Sequence, residues 1–342
     1  MSQANLRLPA EWEPQSAVQF TLPHEATDWA DMLEEVMPCF VACIEAVSLF
    51  EPVVVVCDSK DKALQYLGHI SREKLRIFEI PSNDTWARDH GGIVIIEDGK
   101  PILLDFMFTG WGLKFPADKD NRITERLADF GAFGETPLRK GGMVLEGGAI
   151  ESDGSGTLLT TAECLLSPNR NPHWSKAETE QALVSRFGLK RVLWLNHGYL
   201  AGDDTDSHID TLARFCDPNT IAYVQCADPN DEHFEALGQM EVELKSFRTL
   251  EGKPYTLVPL PVPRPCYAAD GHRLPATYAN FLIINSAVLI PTYEVPEDDT
   301  AIAILEKCFP DRKVIGINCR PLIEQHGSLH CISMQYPSGV VL

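Results

Sequence analysis

The sequence lacks the features that mark membrane-spanning and secreted proteins. No apolar run approaches the length needed to cross a bilayer, and the longest candidate, at 281–291, is strand-sized and contains Asn285 and Ser286. The first residues, MSQANLRLPAEWEP, contain neither the basic segment nor the apolar segment of a signal peptide. These absences predict a cytoplasmic protein without a membrane partner.

Positive charge is scarce: 29 Lys and Arg residues stand against 49 Asp and Glu residues, which gives a formal net charge of −20. Nucleic acid binding needs a clustered basic surface, so we expect no nucleic acid partner. A negative field instead favours small cationic ligands. Linkers rich in Gly, Ser or Pro are also missing from the 342 residues, which predicts a single domain over residues 1–342.

The ten cysteines form no CxxC pair and no spaced framework, although they run from Cys39 to Cys331. Most lie in apolar stretches, as Cys43, Cys57 and Cys226 do, and are interpreted as reduced, buried thiols. Cys331 needs separate treatment, because it lies in a segment that contains other polar and ionisable residues.

Familiar cofactor and metal motifs are missing as well. The sequence contains no GxGxxG after a strand, no GxxxxGK[ST], no HExxH and no GxSxG. The acidic segment at 202–210 does not form an EF-hand loop, because Phe215 or Arg214 occupies the position where glutamate is required. We therefore expect no cofactor and no metal.

Apolar runs of strand length alternate with helix-like segments along the whole chain, which predicts the α/β class. Two Asp-Gly pairs, at 98–99 and 153–154, predict tight turns between strands. Strands and helices recur in units of roughly 60–70 residues, the scale of repeated supersecondary modules. The segment LHCISMQ at 329–335 is interpreted as the closing strand.

Four polar segments follow apolar strands, where catalytic groups are often displayed: TWARDHGG at 85–92, LEGGAIE at 145–151, GDDTDSHID at 202–210 and HGSLHCIS at 326–333. Each has a plain structural explanation. Asp89 could cap a turn, and Glu146 could be a solvated hairpin residue. The helix N-caps could be Asp204, Asp206 and Ser207, and Cys331 could be another buried thiol.

Taken together, these segments supply a thiol, a histidine and several carboxylates, which are the groups needed to hydrolyse a guanidinium. Carboxylates bind this planar cation through paired hydrogen bonds. Its carbon is a poor electrophile, so a strong nucleophile such as a thiolate is required. A histidine can protonate the departing ammonia and then deprotonate the attacking water.

The same segments closely resemble those of the agmatine deiminases and the related bacterial peptidylarginine deiminases, within the guanidino-group-modifying superfamily. The similarity covers nearly the full chain. It includes WxRDxG at 86–91, GWGLKF at 110–115, EGG at 146–148, LLTTAECLLSPNRNP at 158–172, GDDTDSHIDTLARF at 202–215 and HC at 330–331. Many family members have proline where Gly92 stands, which should loosen a turn without removing a catalytic group.

The resemblance implies a pseudo-fivefold α/β propeller of the pentein type, built from repeated ββαβ-like modules, with its active site on the central axis. By motif, Cys331 is the nucleophile, His208 is the general acid and base, and Glu146 hydrogen-bonds His208. Asp89 and Asp210 bind the guanidinium. In addition, Trp86 lines the pocket, Asp204 faces the far amine of the substrate, and a homo-oligomer is expected.

The leading interpretation is a hydrolase of linear amidines that converts agmatine to N-carbamoylputrescine and ammonia, in putrescine and polyamine metabolism. A cytosolic location and the acidic pair Asp203-Asp204 favour a small substrate with a terminal ammonium. A deiminase of arginine or peptidyl-arginine stays open, because Arg88 and Arg264 could bind a carboxylate. A cysteine peptidase is remote, since carboxylates beside the nucleophile would repel an oxyanion. A scaffold without activity is also disfavoured, because every catalytic position is filled.

Overall fold

The computed structural model of the chain describes residues 5–340, in which strands and helices alternate regularly. The strands are β1 (Leu6–Arg7), β2 (Gln15–Thr21), β3 (Val53–Cys57), β4 (Leu75–Glu79), β5 (Ile93–Glu97), β6 (Lys100–Met107), β7 (Leu138–Val144), β8 (Ile150–Ser152), β9 (Thr157–Thr161), β10 (Arg191–Leu195), β11 (Ala213–Asp217), β12 (Thr220–Gln225), β13 (Thr256–Pro261), β14 (Leu282–Ile284), β15 (Ala287–Thr292), β16 (Lys313–Asn318) and β17 (Ser333–Pro337). The predicted α/β class is confirmed.

The helices alternate with these strands, as the sequence predicts. They are α1 (Leu33–Ser48), α2 (Lys60–Leu67), α3 (Ala87–His90), α4 (Gly110–Leu113), α5 (Ile123–Asp129), α6 (Ala162–Leu165), α7 (Lys176–Phe187), α8 (Phe234–Ser246) and α9 (Glu297–Cys308). Short 3-10 turns add Ala30–Met32, Asp120–Arg122, Gly147–Ala149, Ile209–Thr211 and Leu322–Gln325. Within residues 5–340, no helix combines the length and apolar character that a bilayer crossing requires.

Five sheets contain these strands, and each sheet has the same internal order. Two antiparallel strands are followed, after a helical connection, by a third strand parallel to the second. The sheets are β5–β6–β7 extended by β1, β8–β9–β10, β11–β12–β13, β14–β15–β16, and β17–β2–β3 extended by β4. This ββαβ order is the physical basis of the repeating units predicted from the sequence.

Local sequence explains the regularity of these elements. Strand β3 is a continuous run of buried apolar residues, as expected for a strand with parallel neighbours on both sides. Helix α7 begins with a capping box between Ser175 and Glu178 and ends at Gly188, whose φ of 66° is left-handed. The predicted turn at Asp98-Gly99 joins β5 to β6, and both turn residues have positive φ.

The last sheet joins the two ends of the described chain, because β17 pairs antiparallel with β2 and places Ser333 opposite Phe20. The predicted closing strand therefore exists, but its start was predicted wrongly. Cys331 precedes β17 in a buried turn, and the backbone N–H of Ile332 donates to the carbonyl oxygen of Ser328 (3.3 Å). Cys331 therefore lies in a turn and not within the strand.

The polar segments lie in the connections from the last strand of one sheet to the first strand of the next. The β4–β5 connection carries Asp89, the β7–β8 connection Glu146, and the β10–β11 connection His208. The β13–β14 and β16–β17 connections carry Asn280 and Cys331. Short contacts between these connections bring their polar side chains together at one place.

Candidate active site

Three of the predicted site residues pack directly against Gly148. A methyl group added to Gly148 would lie 2.5 Å from His208 Nδ1, 2.9 Å from Asp89 Oδ1 and 3.2 Å from Asp210 Oδ2. The Gly148 backbone N–H also donates to Asp89 Oδ1 (3.0 Å). Glycine is thus needed at 148, in the Gly-Gly pair of a predicted catalytic segment, because any side chain there would collide with these three side chains.

Cys331 lies beside Asp210. Its Sγ lies 3.9 Å from Asp210 Oδ2 and donates a hydrogen bond to Asn280 Oδ1 (3.3 Å). Asn280 Oδ1 also accepts the backbone N–H groups of His330 (2.9 Å) and Cys331 (3.3 Å). One amide oxygen therefore fixes both the backbone and the thiol of the candidate nucleophile.

The two predicted guanidinium-binding carboxylates have different environments. Trp111 Nε1–H donates to Asp89 Oδ2 (3.0 Å), and burial followed by repulsion from Asp210 raises the pKa of Asp89 well above its ordinary value. Burial would also raise the pKa of Asp210, but interactions with His330 above all outweigh it and leave that pKa lowered. Asp210 Oδ1 is buried without a hydrogen-bond partner, so it can still accept a hydrogen bond.

Burial governs the ionisation of the nucleophile and the histidine. It raises the pKa of the Cys331 thiol well above its ordinary value, with further increases from Asp210 and Asp89. It lowers the pKa of His208 to about 3. Both groups are therefore neutral at neutral pH when no cation lies beside Asp89 and Asp210.

The hydrogen bond expected between Glu146 and His208 is not formed. Glu146 Oε1 instead accepts Arg170 Nε–H (2.9 Å), in an ion pair whose two side chains are fully buried. Glu146 Oε2 and His208 Nε2 are both buried without partners. Arg170 also donates to Asp206 Oδ2 (2.5 Å), and it engages Glu146 through Oε1 alone.

Glu146, His208 and Cys164 are the one group of metal-ligating side chains found among the described residues, with ligand atoms within 4.8 Å of one another. These residue types suit a zinc ion. However, Arg170 already neutralises Glu146 at 2.9 Å, and a second cation beside it would be repelled. The donor set therefore fits an internal ion pair better than a metal centre.

A pocket leads from the surface to Cys331 and Asp89. Trp86 and Asp204 line it as predicted, together with Asp28, Asp84, Trp111, Phe115, Thr205, Gln325, His326 and Gly327. Burial raises the pKa of Asp204 to about 6, and burial followed by repulsion from Asp28 raises the pKa of Asp84 to about 7. The lining carries four aspartates and no lysine or arginine.

The acidic pair Asp203-Asp204 is divided between two roles. Asp203 accepts hydrogen bonds from Thr205 and from the backbone N–H of Ser207, so it holds the loop together and is absent from the pocket lining. Asp204 alone of the pair faces the pocket. His326 also lines the pocket, where its Nδ1–H donates to the carbonyl oxygen of Gly202 (2.7 Å) and its ring stacks on His272.

Comparison with known proteins agrees with this geometry. The family model of the Porphyromonas-type peptidyl-arginine deiminases matches residues 7–337. The chain belongs to this family. A Porphyromonas gingivalis protein whose crystal structure carries the provisional name arginine deiminase shares 53% identity, with 99% of this chain and 100% of that chain covered and a TM-score of 0.95.

Relatives named agmatine deiminase are also similar over their full length. The Pseudomonas aeruginosa enzyme is 32% identical over 97% of this chain and 95% of its own length. A Cys-to-Ser variant of the C. jejuni agmatine deiminase, solved with substrate bound, is 38% identical with a TM-score of 0.93, covering 100% of this chain and 99% of that chain. The α/β fold is therefore that of the solved agmatine deiminases.

Several residues of this family member escaped prediction because no reactive group marks them. Trp111 holds Asp89 from a loop in which Gly110, Trp111, Gly112 and Leu113 all have positive φ, and the flanking glycines of GWG were the available signal. Asn280 has no such signal, since TYANF resembles an ordinary loop. Arg170, in the NRNP motif, was part of the resemblance but had no role assigned.

Proposed function

We propose that this chain is a hydrolase of the C–N bonds of linear amidines that converts agmatine and water to N-carbamoylputrescine and ammonia. The carrying observation is the space at the end of the pocket, which is lined by Asp89 and the Cys331 thiol and has Asp210 beside that thiol. Asp210 Oδ1 is buried without a hydrogen-bond partner. A guanidinium supplies the planar set of N–H donors that such a space requires.

In this proposal Asp89 and Asp210 bind the guanidinium nitrogens and Cys331 attacks the central carbon. The thiol proton passes to His208, a C–S bond forms, and His208 returns the proton to one nitrogen. Ammonia then leaves and a covalent thiouronium remains. Glu146 acts through its position beside His208; burial raises the pKa of Glu146, and the ion pair with Arg170 opposes this rise.

The second half of the reaction uses the same groups. His208 takes a proton from water, the hydroxide adds to the thiouronium carbon, and the C–S bond breaks to give the urea product. The proton on His208 restores the Cys331 thiol, and the proton released from the product hydroxyl converts ammonia to ammonium. No proton is gained or lost by the enzyme over the cycle.

The substrate itself supplies the charge that activates the nucleophile. Asp210 and Asp89 are the nearby charges that raise the pKa of the Cys331 thiol, after burial. A guanidinium cation between these carboxylates neutralises their repulsion and favours the thiolate. Thiolate formation is therefore coupled to substrate binding in this mechanism.

The pocket lining supports agmatine over arginine. Asp204, Asp84 and Asp28 suit the terminal ammonium of agmatine, whereas the α-carboxylate of arginine would need a cation. Of the two arginines considered for that role, Arg88 is buried and contacts the carbonyl oxygen of His330, and Arg264 pairs with Glu297 in another part of the surface. Neither lines the pocket.

A deiminase of arginine or peptidyl-arginine is the second candidate. The description of the matching family and the name of the relative with 53% identity favour it. A cysteine peptidase is less well supported, because Asp89 and Asp210 occupy the side of Cys331 where an oxyanion would develop.

We further propose that the five ββαβ sheets are arranged as a pseudo-fivefold propeller and form one domain over residues 1–342. The five inter-sheet connections that supply Asp89, Glu146, His208, Asn280 and Cys331 support this arrangement. A cytoplasmic homo-oligomer without a nucleic acid partner, acting on a small cationic guanidino substrate, completes the proposal.

The test is ammonia release at neutral pH from agmatine, free arginine and a blocked arginyl peptide, in the presence of a chelator. We expect release from agmatine alone and its loss in Cys331→Ala. Release only from arginine or the peptide would keep the chemistry and overturn the substrate. Release from none of the three would reject the proposed reaction.

A further inference from the structure

The imidazole of His330 lies between two buried carboxylates. His330 Nδ1 is 2.7 Å from Asp210 Oδ2, and His330 Nε2 is 2.8 Å from Glu11 Oε2. The side chains of Asp210, His330 and Glu11 are 0%, 1% and 5% exposed, respectively. His330 contacts the Asp210 oxygen that also lies 3.9 Å from Cys331 Sγ, so this array joins the candidate site through Asp210.

Both contacts can be hydrogen bonds only if the array holds two N–H or O–H hydrogens. A neutral imidazole has one N–H donor, and its other nitrogen is an acceptor. That acceptor nitrogen would face an ionised carboxylate oxygen at less than 3 Å. The lone pairs of the nitrogen and the oxygen would then repel each other, because no proton lies between them. The array therefore carries one proton more than a neutral imidazole between two ionised carboxylates provides.

The charges around the array support the additional proton. Arg214 donates to Glu11 Oε2 (2.9 Å) and to Glu151 Oε2 (2.9 Å), and Arg88 Nη2 lies 3.9 Å from Glu11 Oε2. Two guanidinium groups thus face three carboxyl groups, those of Glu11, Glu151 and Asp210, and burial raises the pKa of Glu151 to about 7. One additional proton makes this fully buried cluster neutral when all three carboxyl groups are ionised, and a net buried charge is costly.

Other forces on the imidazole oppose each other. Burial, Arg214 and Arg88 lower the pKa of His330 by more than Glu11 and the hydrogen bond to Asp210 raise it, so these influences alone favour the neutral ring. The geometry decides between them, because each ring nitrogen meets a carboxylate oxygen at hydrogen-bond distance. A cavity of about 60 Å³ is lined by Glu11, Arg88, Glu151 and His330, among others, and can hold water for proton exchange.

We propose that Glu11 and His330 are positioning residues for Asp210, and that the Asp210–His330–Glu11 array retains its additional proton at neutral pH. The array holds Asp210 ionised, with Oδ2 engaged by His330 and Oδ1 free to accept from a guanidinium. Glu11 is fixed for this task by the backbone N–H of Ile283, which donates to Glu11 Oε1 (2.7 Å). The role in turnover rests on the proposed function, whereas the protonation state does not.

Nitrogen-15 NMR of the histidine-labelled full chain tests the protonation state without any substrate. We expect both ring nitrogens of His330, assigned by the signals lost in His330→Asn or His330→Gln, to carry protons at pH 7. In Glu11→Gln, the side-chain amide can donate to Nε2, so only Nδ1 should remain protonated. A single protonated ring nitrogen in the unsubstituted chain would overturn the proposal.

Kinetics of Glu11→Gln test the positioning role, with Glu13→Gln as the matched control. Glu13 belongs to the same segment but pairs with Arg7 (2.6 Å), and its side chain is 27% exposed. We expect kcat/KM for agmatine to fall at least tenfold in Glu11→Gln and to stay within about twofold in Glu13→Gln.

The pH profile distinguishes positioning from a general loss of structure. Removing the Glu11 charge weakens proton retention by the array, so the alkaline limb of kcat/KM should move to lower pH. An unchanged limb with an unchanged rate in a folded Glu11→Gln chain would reject the positioning role. If the unsubstituted chain releases no ammonia from any guanidino compound, the proposed function fails while the NMR result still decides the array.

Discussion

At the scale of single residues, the candidate site depends on glycines as much as on reactive groups. A methyl group on Gly327 would lie 2.0 Å from Trp86 Cζ3, inside the van der Waals contact distance. Trp86 is in turn held by its own indole N–H, which donates to Asp84 Oδ2 (3.1 Å). The pocket wall therefore requires glycine at 327, although this residue has no chemistry of its own.

Gly327→Ala should displace Trp86 and lower kcat/KM for the substrate at least tenfold. Gly238→Ala is the matched control, because a methyl group there meets no atom within 4 Å and the residue lies in helix α8. Steady-state kinetics of both variants make the comparison. Equal activity in the two variants would show that Trp86 is not part of the pocket wall in solution.

The raised pKa of the Cys331 thiol predicts its reactivity in the free protein. Alkylation of Cys331 by iodoacetamide, followed by mass spectrometry, should accelerate only above about pH 9, because the thiolate is the reactive form. A substrate-like guanidinium that cannot turn over should protect Cys331 by occupying the pocket. A reaction rate that reaches its plateau below pH 8 would mean that the thiolate exists before substrate binds.

Asp204 should contribute binding more than catalysis. Its pKa of about 6 means that the carboxylate loses its charge as the pH falls through that value, so KM for agmatine should rise below pH 6. Asp204→Asn should raise KM about tenfold at pH 8 with a smaller change in kcat, since one charged contact is lost. Asp228→Asn, in an exposed loop, is the control. A pH-independent KM in the unsubstituted chain would remove Asp204 from substrate binding.

At the scale of elements, one buried carboxylate joins two sheets at a cost in stability. Glu51 lies between α1 and β3, and its Oε2 accepts the backbone N–H of Asn285 (2.7 Å) in the β14–β15 turn. Its Oε1 has no partner, and burial raises its pKa from 4.5 to about 7. The protonated form is therefore the more stable one in the folded chain.

Because folding raises this pKa, the uptake of a proton by Glu51 stabilises the folded chain. This contribution to the free energy of unfolding is fully present below pH 4.5 and is lost as the pH rises to 7. Glu51→Gln keeps the acceptor without the charge, so it should increase the free energy of unfolding at pH 8 by roughly 3 kcal/mol. The gain should vanish near pH 4.5. Urea unfolding at both pH values measures it, and an equal effect at both would contradict the buried charge.

Element prediction from the sequence succeeded where patterns were local and repeated. Continuous apolar runs predicted β3, and the Asp98-Gly99 pair predicted the β5–β6 hairpin. The backbone at Cys331 was predicted wrongly, because an apolar run from 329 to 335 cannot reveal that a turn replaces its first half. The left-handed backbone at Trp111 also followed no pattern, since tertiary contacts impose it.

At the scale of the whole molecule, the site is assembled from five connections that are distant in sequence. The resemblance correctly indicated Asp89, His208, Asp210 and Cys331 as neighbours. It could not indicate Asn280, whose importance comes only from the position of its amide oxygen between two backbone groups and a thiol. Residues that act through position alone are invisible until the sheets are in place.

The pairing of β17 with β2 has a consequence for how the protein is made. Ser333 lies opposite Phe20, and Cys331 precedes this strand by two residues. During synthesis, Cys331 emerges from the ribosome more than three hundred residues after β2, the strand with which β17 pairs. A nascent chain therefore carries its carboxylates and histidine long before its thiol, and the reactive centre comes into existence only when the two distant strands meet.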